Sequence, residues 1–228
     1  MSAGLLILDF DGTVCLGDAP VLAYARAVAR SLGDPESGIL TPLSLFLEGA
    51  QDGPFAGCAD GYSAVAQWGR RYGLDDHAMS AAYRESRVAL DAGELSVATP
   101  PGIGEFLAGF QDWDRVLVTN APREGTVKLV TRLGLTPFID RVIGDARKPE
   151  GLRTLIAAGG ELDLARWERA LSIGDIWRND LEPVADRATT ALIERHAQPG
   201  ARPALRAPLI SQLFAPLAHW RNSGQTPA

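Results

Sequence analysis

Lysine is nearly missing from this chain: among 22 basic residues only Lys128 and Lys148 are lysines, and the rest are arginines. Cysteine is as scarce, with Cys15 and Cys58 alone. Two cysteines without metal-site spacing exclude a disulfide framework and a thiolate metal centre, and leave two reduced thiols as the expectation. The histidines, His77, His196 and His219, stand far apart and follow no ligand pattern, so each is expected on the surface or in packing. No apolar run approaches the ~20 residues a membrane span needs. The N-terminus runs straight into an apolar segment, which leaves no room for a basic leader and cleavage site, so a cytoplasmic location is expected. Positive charge is also in deficit. A net charge of −6 disfavours a nucleic-acid or anionic-membrane surface. Small anionic substrates remain eligible, because local dipoles and metals outweigh net charge.

What the chain does have begins at its start, Leu5-Leu6-Ile7-Leu8-Asp9-Phe10-Asp11-Gly12-Thr13. A short continuous apolar run reads as a strand buried on both faces, as in a parallel sheet. Asp and Gly end that pattern and place two acids where a central strand leaves the sheet. Open α/β sheets build their sites at that position. Two carboxylates this close repel, so a cation, a shared proton or water must compensate. A divalent cation with a phosphorylated substrate would meet the demand.

Further apolar runs read as strands at Val116–Thr119, Arg141–Ile143, Leu171–Ile173 and Thr190–Ile193. Helical spacing at Ile103–Phe110, Thr126–Leu133, Leu152–Ala158 and Leu181–Arg187 separates them. Alternating strands and helices predict βαβ units, a parallel sheet and right-handed crossovers with helices on both faces. Residues 17–97 differ. Ala19–Leu32, Pro42–Gly49, Ser63–Tyr72 and Asp76–Ala92 are all helical in pattern, divided by Gly-Pro breaks that include Gly33-Asp34-Pro35. The expected organisation is therefore an α/β core of 1–16 and 98–228 with a helical insertion, 17–97, after the first strand. An insertion that leaves from a strand's C-terminal edge has the geometry of a lid. Leu209–Trp220 is expected to form a last helix, with Asn222–Ala228 fraying.

The chemistry gathers after the strands: Asp9 and Asp11, then Thr119-Asn120, then Lys148-Pro149, then Gly174-Asp175 with Asp180. Each has an ordinary use. Asp favours turns, Thr and Asn cap helices, and a loop lysine is commonly solvated. Their recurrence in order, each behind its own strand, is what carries the functional reading.

In that order they resemble the haloacid dehalogenase (HAD) superfamily. Leu8-Asp9-Phe10-Asp11-Gly12-Thr13 is similar to its first motif, Val118-Thr119-Asn120 to the second, Lys148-Pro149 to the third, and Gly174-Asp175 with Asp180 to the fourth. The insertion resembles a helical C1 cap, and the nearest general description is phosphoglycolate phosphatase-like. The resemblance implies a Rossmann-like parallel sheet with helices on both faces and an inserted all-helical cap. It implies Asp9 as nucleophile, giving an aspartyl-phosphate, and Asp11 as general acid, then base. It implies Mg²⁺ held by Asp9, the carbonyl of Asp11, and Asp175. Thr119, Asn120 and Lys148 would bind the phosphoryl group. Lys148 would also keep Asp9 ionised, and Asp180 would orient Lys148 or a metal-bound water.

The resemblance implies a Mg²⁺-dependent hydrolase of small phosphate monoesters, acting as monomer or homodimer, with no nucleic-acid or membrane partner. Within the superfamily, dehalogenases are similar but carry Asp-x-Tyr and need no metal, and a phosphonatase needs a cap lysine that residues 17–97 lack. A phosphomutase of the β-phosphoglucomutase kind shares every core residue, and a non-catalytic binding module of the same fold is the remaining alternative. Candidate cap contacts are Tyr62, Trp68, Arg70, Arg71, Arg84 and Arg87. Arg123 and Arg178 lie beside the second and fourth motifs.

Overall fold

A computed structural model describes residues 3–33 and 37–224, with only the backbone of Ser37. In chain order these residues form β1 (Leu5–Leu8), α1 (Ala19–Leu32), α2 (Ser37–Leu47), α3 (Gly61–Arg71), α4 (Asp76–Asp91) and α5 (Ile103–Ala108). There follow β2 (Asp114–Val118), α6 (Arg123–Arg132), β3 (Arg141–Ile143), α7 (Glu150–Ile156), β4 (Ala170–Gly174), β5 (Thr189–Ile193), β6 (Leu205–Ala207) and α8 (Phe214–Ser223). Two compact units result: 1–16, 98–194 and 199–228 form one, and 17–97 with 195–198 the other.

The first unit is built on a six-stranded sheet in the order β3-β2-β1-β4-β5-β6, parallel throughout. Strand β1 sits in the middle, and its residues Leu5, Leu6 and Leu8 have no exposed surface. The continuous apolar run is thus what a strand covered on both faces requires. Leu8 stands opposite Leu117 on one side and Ile173 on the other, so β1, β2 and β4 end nearly level. The strand order reverses between β1 and β4, which makes their C-terminal ends the switch-point crevice.

Local differences from the sequence reading have identifiable causes. Strand β1 stops at Leu8 rather than Phe10, because the Phe10 carbonyl accepts the amides of Thr13, Val14 and Cys15 and turns the chain. A sixth strand, Leu205–Ala207, pairs with Ala191–Ile193 at the sheet edge; its three residues carry too little periodicity to be read. Leu181–Arg187 is not an α-helix. Residues 177–181 form a π-type turn and 182–184 a 3₁₀ turn, and Pro183, with no amide hydrogen, cannot continue a helix. The last helix starts as a 3₁₀ turn at 210–213 and runs to Ser223. The Arg169 guanidinium holds its end, donating to the carbonyls of Arg221 (2.6 Å) and Trp220 (2.7 Å). The break at 34–36 and the tail at 225–228 lie outside the described residues.

The helical unit has its own core, in which Val28, Ile39, Leu43, Ala64 and Val65 are fully buried. Pro20 in the first turn favours the start of α1. Helix α3 is fixed by a capping box: the Ser63 amide donates to Asp60 Oδ1 (2.8 Å) and the Asp60 amide donates to Ser63 Oγ (3.2 Å). Residues Arg195–Gln198 group with this unit rather than with the sheet. Arg195 pairs with Asp18 (3.2 Å) and donates to the Leu47 carbonyl, and the His196 ring stacks on Phe46 at 3.8 Å. Among the described residues no helix is long and apolar enough to cross a membrane.

Replacing Asp60 removes one half of the capping box. Asp60→Ala is expected to destabilise α3 by about 1 kcal/mol. Amide exchange should quicken in the first turn of α3 and leave the sheet amides unchanged.

Candidate active site

The site starts from the two residues that follow the aliphatic run. The Asp9 amide still donates to the Ile173 carbonyl (2.9 Å), so the sheet holds the Asp9 backbone although the strand has ended. Its carboxylate is buried. Oδ1 accepts from Lys148 Nζ at 2.6 Å, and Oδ2 accepts from the buried Thr13 hydroxyl at 3.3 Å. Lys148 Nζ also donates to Asp180 Oδ1 (2.6 Å) and to the Val118 carbonyl (2.9 Å). The three donors of the ammonium therefore meet three oxygens, two of them charged. Lys148 is 8 % exposed and Asp180 4 %, so the ion triad is taken out of water.

The electrostatics follow from that burial. Desolvation, the largest influence, pushes the Asp9 carboxyl up to about 7. The Lys148 ammonium pulls it down, and the charges of Asp180 and Asp11 push it up again. Burial alone would lower Lys148, but Asp180 and Asp9 outweigh it and hold the ammonium well above the ordinary lysine range. Lys148 is thus a fixed cation, and Asp9 is an acid whose ionisation depends on what else enters the site.

Two glycines give the acids their places. Gly12 has φ +83°, and a Cβ there would overlap Asp175 Oδ2. The loop after β1 can lie against Asp175 only because that carbon is missing. A Cβ on Gly174 would likewise overlap the side chain of Asp180. Asp9, Asp175 and Asp180 each offer a carboxylate oxygen, all within 4.8 Å of one another. Such a donor set, all oxygen and short of positive charge, fits a hard divalent cation such as Mg²⁺. Asp180 already spends Oδ1 on Lys148 and Oδ2 on the Ile176 amide (2.9 Å). Asp9 and Asp175 are the better ligands, and Asp180 holds the lysine.

The structure brings the remaining sequence candidates to the same sheet edge in different ways. Thr119 is buried, and its hydroxyl accepts from the Ala121 amide (3.1 Å). Helix α6 begins at Arg123, earlier than Thr126, so its N-terminus follows closely on Asn120. The Asn120 side chain is itself occupied. Oδ1 accepts from the Lys148 amide (2.6 Å), and Nδ2 donates to the Lys148 carbonyl (3.4 Å). It clamps the peptide group of the lysine, which leaves its backbone amide for an anion. Asp11 is half-buried and pairs through its backbone with Cys15.

Sequence reasoning overlooked the fastening of the Lys148 loop. Asp145 and Arg147 both take left-handed φ, +52° and +53°, which is uncommon outside glycine. The loop is tied to the segment after β2 at several points: the Asp145 amide to the Ala121 carbonyl (2.8 Å), the Ala146 amide to the Thr119 carbonyl (3.0 Å), and the Arg123 amide to Asp145 Oδ2 (3.1 Å). No local residue pattern announces such ties.

Other expectations resolve simply. Lys128 is exposed and pairs with Glu124 at 2.7 Å. Cys15 and Cys58 form no disulfide, and both are buried. Arg70, Arg71, Arg84, Arg123 and Arg178 are exposed, whereas Trp68 packs on the helical core. Arg87 is buried beneath Tyr62 and Tyr83, its Nε donating to the Tyr83 hydroxyl (2.9 Å).

Removing the cation at the centre strands two buried carboxylates. Lys148→Met is expected to cost about 3–5 kcal/mol, the usual penalty for breaking a buried pair. Chemical denaturation should show the deficit shrink in acid, where the Asp9 carboxyl is protonated.

A second expectation concerns pH. Because the fold raises the Asp9 pKa to about 7, the metal-free fold favours the protonated acid. That contribution is complete below the ordinary carboxylate range and is lost as pH rises through about 7. A divalent cation needs the ionised form, so proton and metal compete. The rise in Tm produced by Mg²⁺ is expected to be larger at pH 8 than at pH 6, and equal increments would show no competition.

No family model matches this chain, and no curated protein matches it. Solved structures do. YfnB from Bacillus subtilis, described as a HAD-hydrolase and solved with magnesium bound, is 18 % identical over 94 % of this chain and 98 % of its own, with a TM-score of 0.55. A protein described as a predicted phosphoglycolate phosphatase from Haemophilus somnus is 15 % identical over 83 % of this chain and 84 % of its own, with a TM-score of 0.54. L-2-haloacid dehalogenase from Xanthobacter autotrophicus, solved with chloropropionic acid covalently bound, is 14 % identical over 99 % of this chain and 100 % of its own, with a TM-score of 0.55. With its six-stranded parallel sheet and the order of its elements, the chain has the α/β fold of the HAD-like hydrolases.

Proposed function

We propose that this protein is a cytoplasmic, Mg²⁺-dependent phosphatase of a small phosphorylated metabolite and works through an aspartyl-phosphate. The observation that supports this most is the buried Asp9–Lys148–Asp180 triad, with Asp11 two residues on and Asp175 at the neighbouring strand end. Bound Mg²⁺ would neutralise charge on the phosphoryl oxygens and keep Asp9 ionised. Asp9 attacks phosphorus, and the bond from phosphorus to the ester oxygen breaks. Asp11 gives its proton to the departing alkoxide. Water then attacks the same phosphorus while Asp11 takes a proton from it. The bond to Asp9 breaks, and inorganic phosphate and the free carboxylate are regenerated.

Lys148 holds the Asp9 carboxylate in one orientation and places a fixed positive charge beside the transferring group. The Thr119 hydroxyl and the amide of Asn120, just before α6, serve as donors to the phosphoryl oxygens. The helical unit is assigned the role of the cap that selects the ester. Dehalogenases share the fold, as the Xanthobacter enzyme illustrates. A carboxylate at Asp11 and an acidic Asp175 serve phosphoryl transfer, whereas displacement of halide from carbon needs neither a general acid nor a metal.

The test is phosphate release from a panel of small phosphate esters, with Mg²⁺ or with EDTA, beside chloride release from 2-chloropropionate. The wild type is expected to release phosphate only with metal. Asp9→Asn should abolish release, and Asp11→Asn should lower it by about 10²–10⁴-fold, the usual worth of a general acid or base. Metal-independent chloride release without phosphatase activity would replace this reading with dehalogenation.

A further inference from the structure

The lysine at the centre of the site is held by Asp180, and Asp180 is in turn held by something the motifs do not include. Ser172 lies in the middle of β4, between Leu171 and Ile173, and is 1 % exposed. Its hydroxyl donates to the backbone carbonyl of Asp180 at 2.9 Å. A lone hydroxyl in a fully buried strand costs stability unless it is bonded, and here its bond goes to the residue that carries Lys148.

The reason lies in the shape of the turn. Residues 177–181 form a π-type turn, in which the Glu182 amide reaches back to the Trp177 carbonyl. The 3₁₀ turn that follows closes through the Ala185 amide and the Glu182 carbonyl. The Asp180 carbonyl, buried at that junction, is satisfied by Ser172. Ser172 and Gly174 are two apart on one strand and so point to the same face. Gly174 leaves out the carbon that would collide with the Asp180 side chain, and Ser172 supplies the bond to its backbone. The Ile176 amide fixes Asp180 Oδ2 from a third direction.

We propose that Ser172 is a positioning residue: by anchoring the Asp180 backbone to β4 it sets the place of the Lys148 ammonium, and through it the orientation of Asp9. The catalytic consequence rests on the phosphatase reading above; the positioning itself does not.

The scarcity of lysine makes a direct test possible. Protein labelled with ¹⁵N-lysine carries only Lys128 and Lys148, one exposed and one buried. In the wild type the Lys148 ammonium is expected to exchange slowly with water and Lys128 fast. Ser172→Ala should speed exchange at Lys148 at least tenfold and shift its resonance, while Lys128 and the far-ultraviolet dichroism stay unchanged. Ser172→Thr, which keeps the hydroxyl, should restore slow exchange. If Ser172→Ala does not fold, Ser172→Cys keeps the volume with a weaker donor and should give an intermediate rate.

On a phosphate ester, Ser172→Ala should lower kcat about tenfold with KM held, and should lower it no further in an Asp180→Asn background. Unchanged Lys148 exchange in folded Ser172→Ala overturns the proposal, as does a loss of kcat that simply adds to that of Asp180→Asn. A wild type that hydrolyses no ester would defeat the phosphatase reading alone, since the exchange rates still decide the role of Ser172.

Discussion

The buried ammonium of Lys148 is the interaction on which the site depends. Asp9 and Asp180 follow different strands, and without the cation between them two buried carboxylates would face each other with nothing to offset their repulsion. Moving a charged group out of water costs several kcal/mol even after relaxation, and mutual attraction offsets this only with good geometry and further hydrogen bonds. Both conditions are met. The ammonium has three oxygens for its three protons, and the second oxygen of each carboxylate is bonded to Thr13 or to the Ile176 amide. With both carboxylates ionised the triad would hold one negative charge in excess, and Asp175 offers a further carboxylate nearby. The imbalance invites a metal and a proton to the same acid.

That arrangement is a product of sheet topology. Asp9 follows the central strand, Val118 ends the strand on one side, Asp180 folds back onto the strand on the other, and Lys148 arrives from beyond the edge of β2. Only a level ending of β1, β2 and β4 lets a single side chain reach a carbonyl of one and carboxylates beside the other two. Lys148 must also be delivered across a loop with two left-handed residues, and the ties from residues 144–148 to 119–123 hold that loop in a conformation a free chain would rarely adopt. Part of the stability of the sheet edge is thereby spent on the site.

These facts separate what was legible in the residues from what was not. The central strand was plain because Leu5 to Leu8 are buried on both faces and the pattern must show it. Asp9, Lys148 and Asp180 were legible as types at strand ends, and the structure joins them directly. The edge strand at Leu205–Ala207 was not, since three residues in a Pro- and Ala-rich stretch have no period to detect. The turn after Asp175 looked helical by spacing, yet Pro183 and the pull of Asp180 toward Lys148 override propensity there. Arg195–Gln198 could not be assigned to the helical unit from sequence, because the stacking of His196 on Phe46 joins residues far apart in the chain. Ser172 did leave a trace, a hydroxyl in an apolar strand two residues before a glycine. Period-two reading could have placed both on the face that receives Asp180.

The fold alone does not choose the reaction, since magnesium-bound and halide-displacing proteins share it at comparable similarity. The choice falls to groups that phosphoryl transfer needs and carbon–halogen displacement does not. A nucleophilic carboxylate and a fixed lysine would serve either reaction: halide displacement would leave a carboxylic ester on the nucleophile and phosphoryl transfer an acyl phosphate, and both gain from a cation beside the developing charge. An alkoxide leaving phosphorus needs a proton, whereas halide does not, and a phosphoryl group brings charge that a second acid can help neutralise only through a metal. On the proposed reading, Asp11 and Asp175 answer those two needs. A site for halide would gain nothing from either acid and would bear the push of the Asp11 charge on Asp9. Asp11 and Asp175 stand near a carboxylate already pushed up to about 7 by burial, and the proposed phosphatase reading is the one that gives both acids a use, since it would bring a divalent cation to offset the excess negative charge.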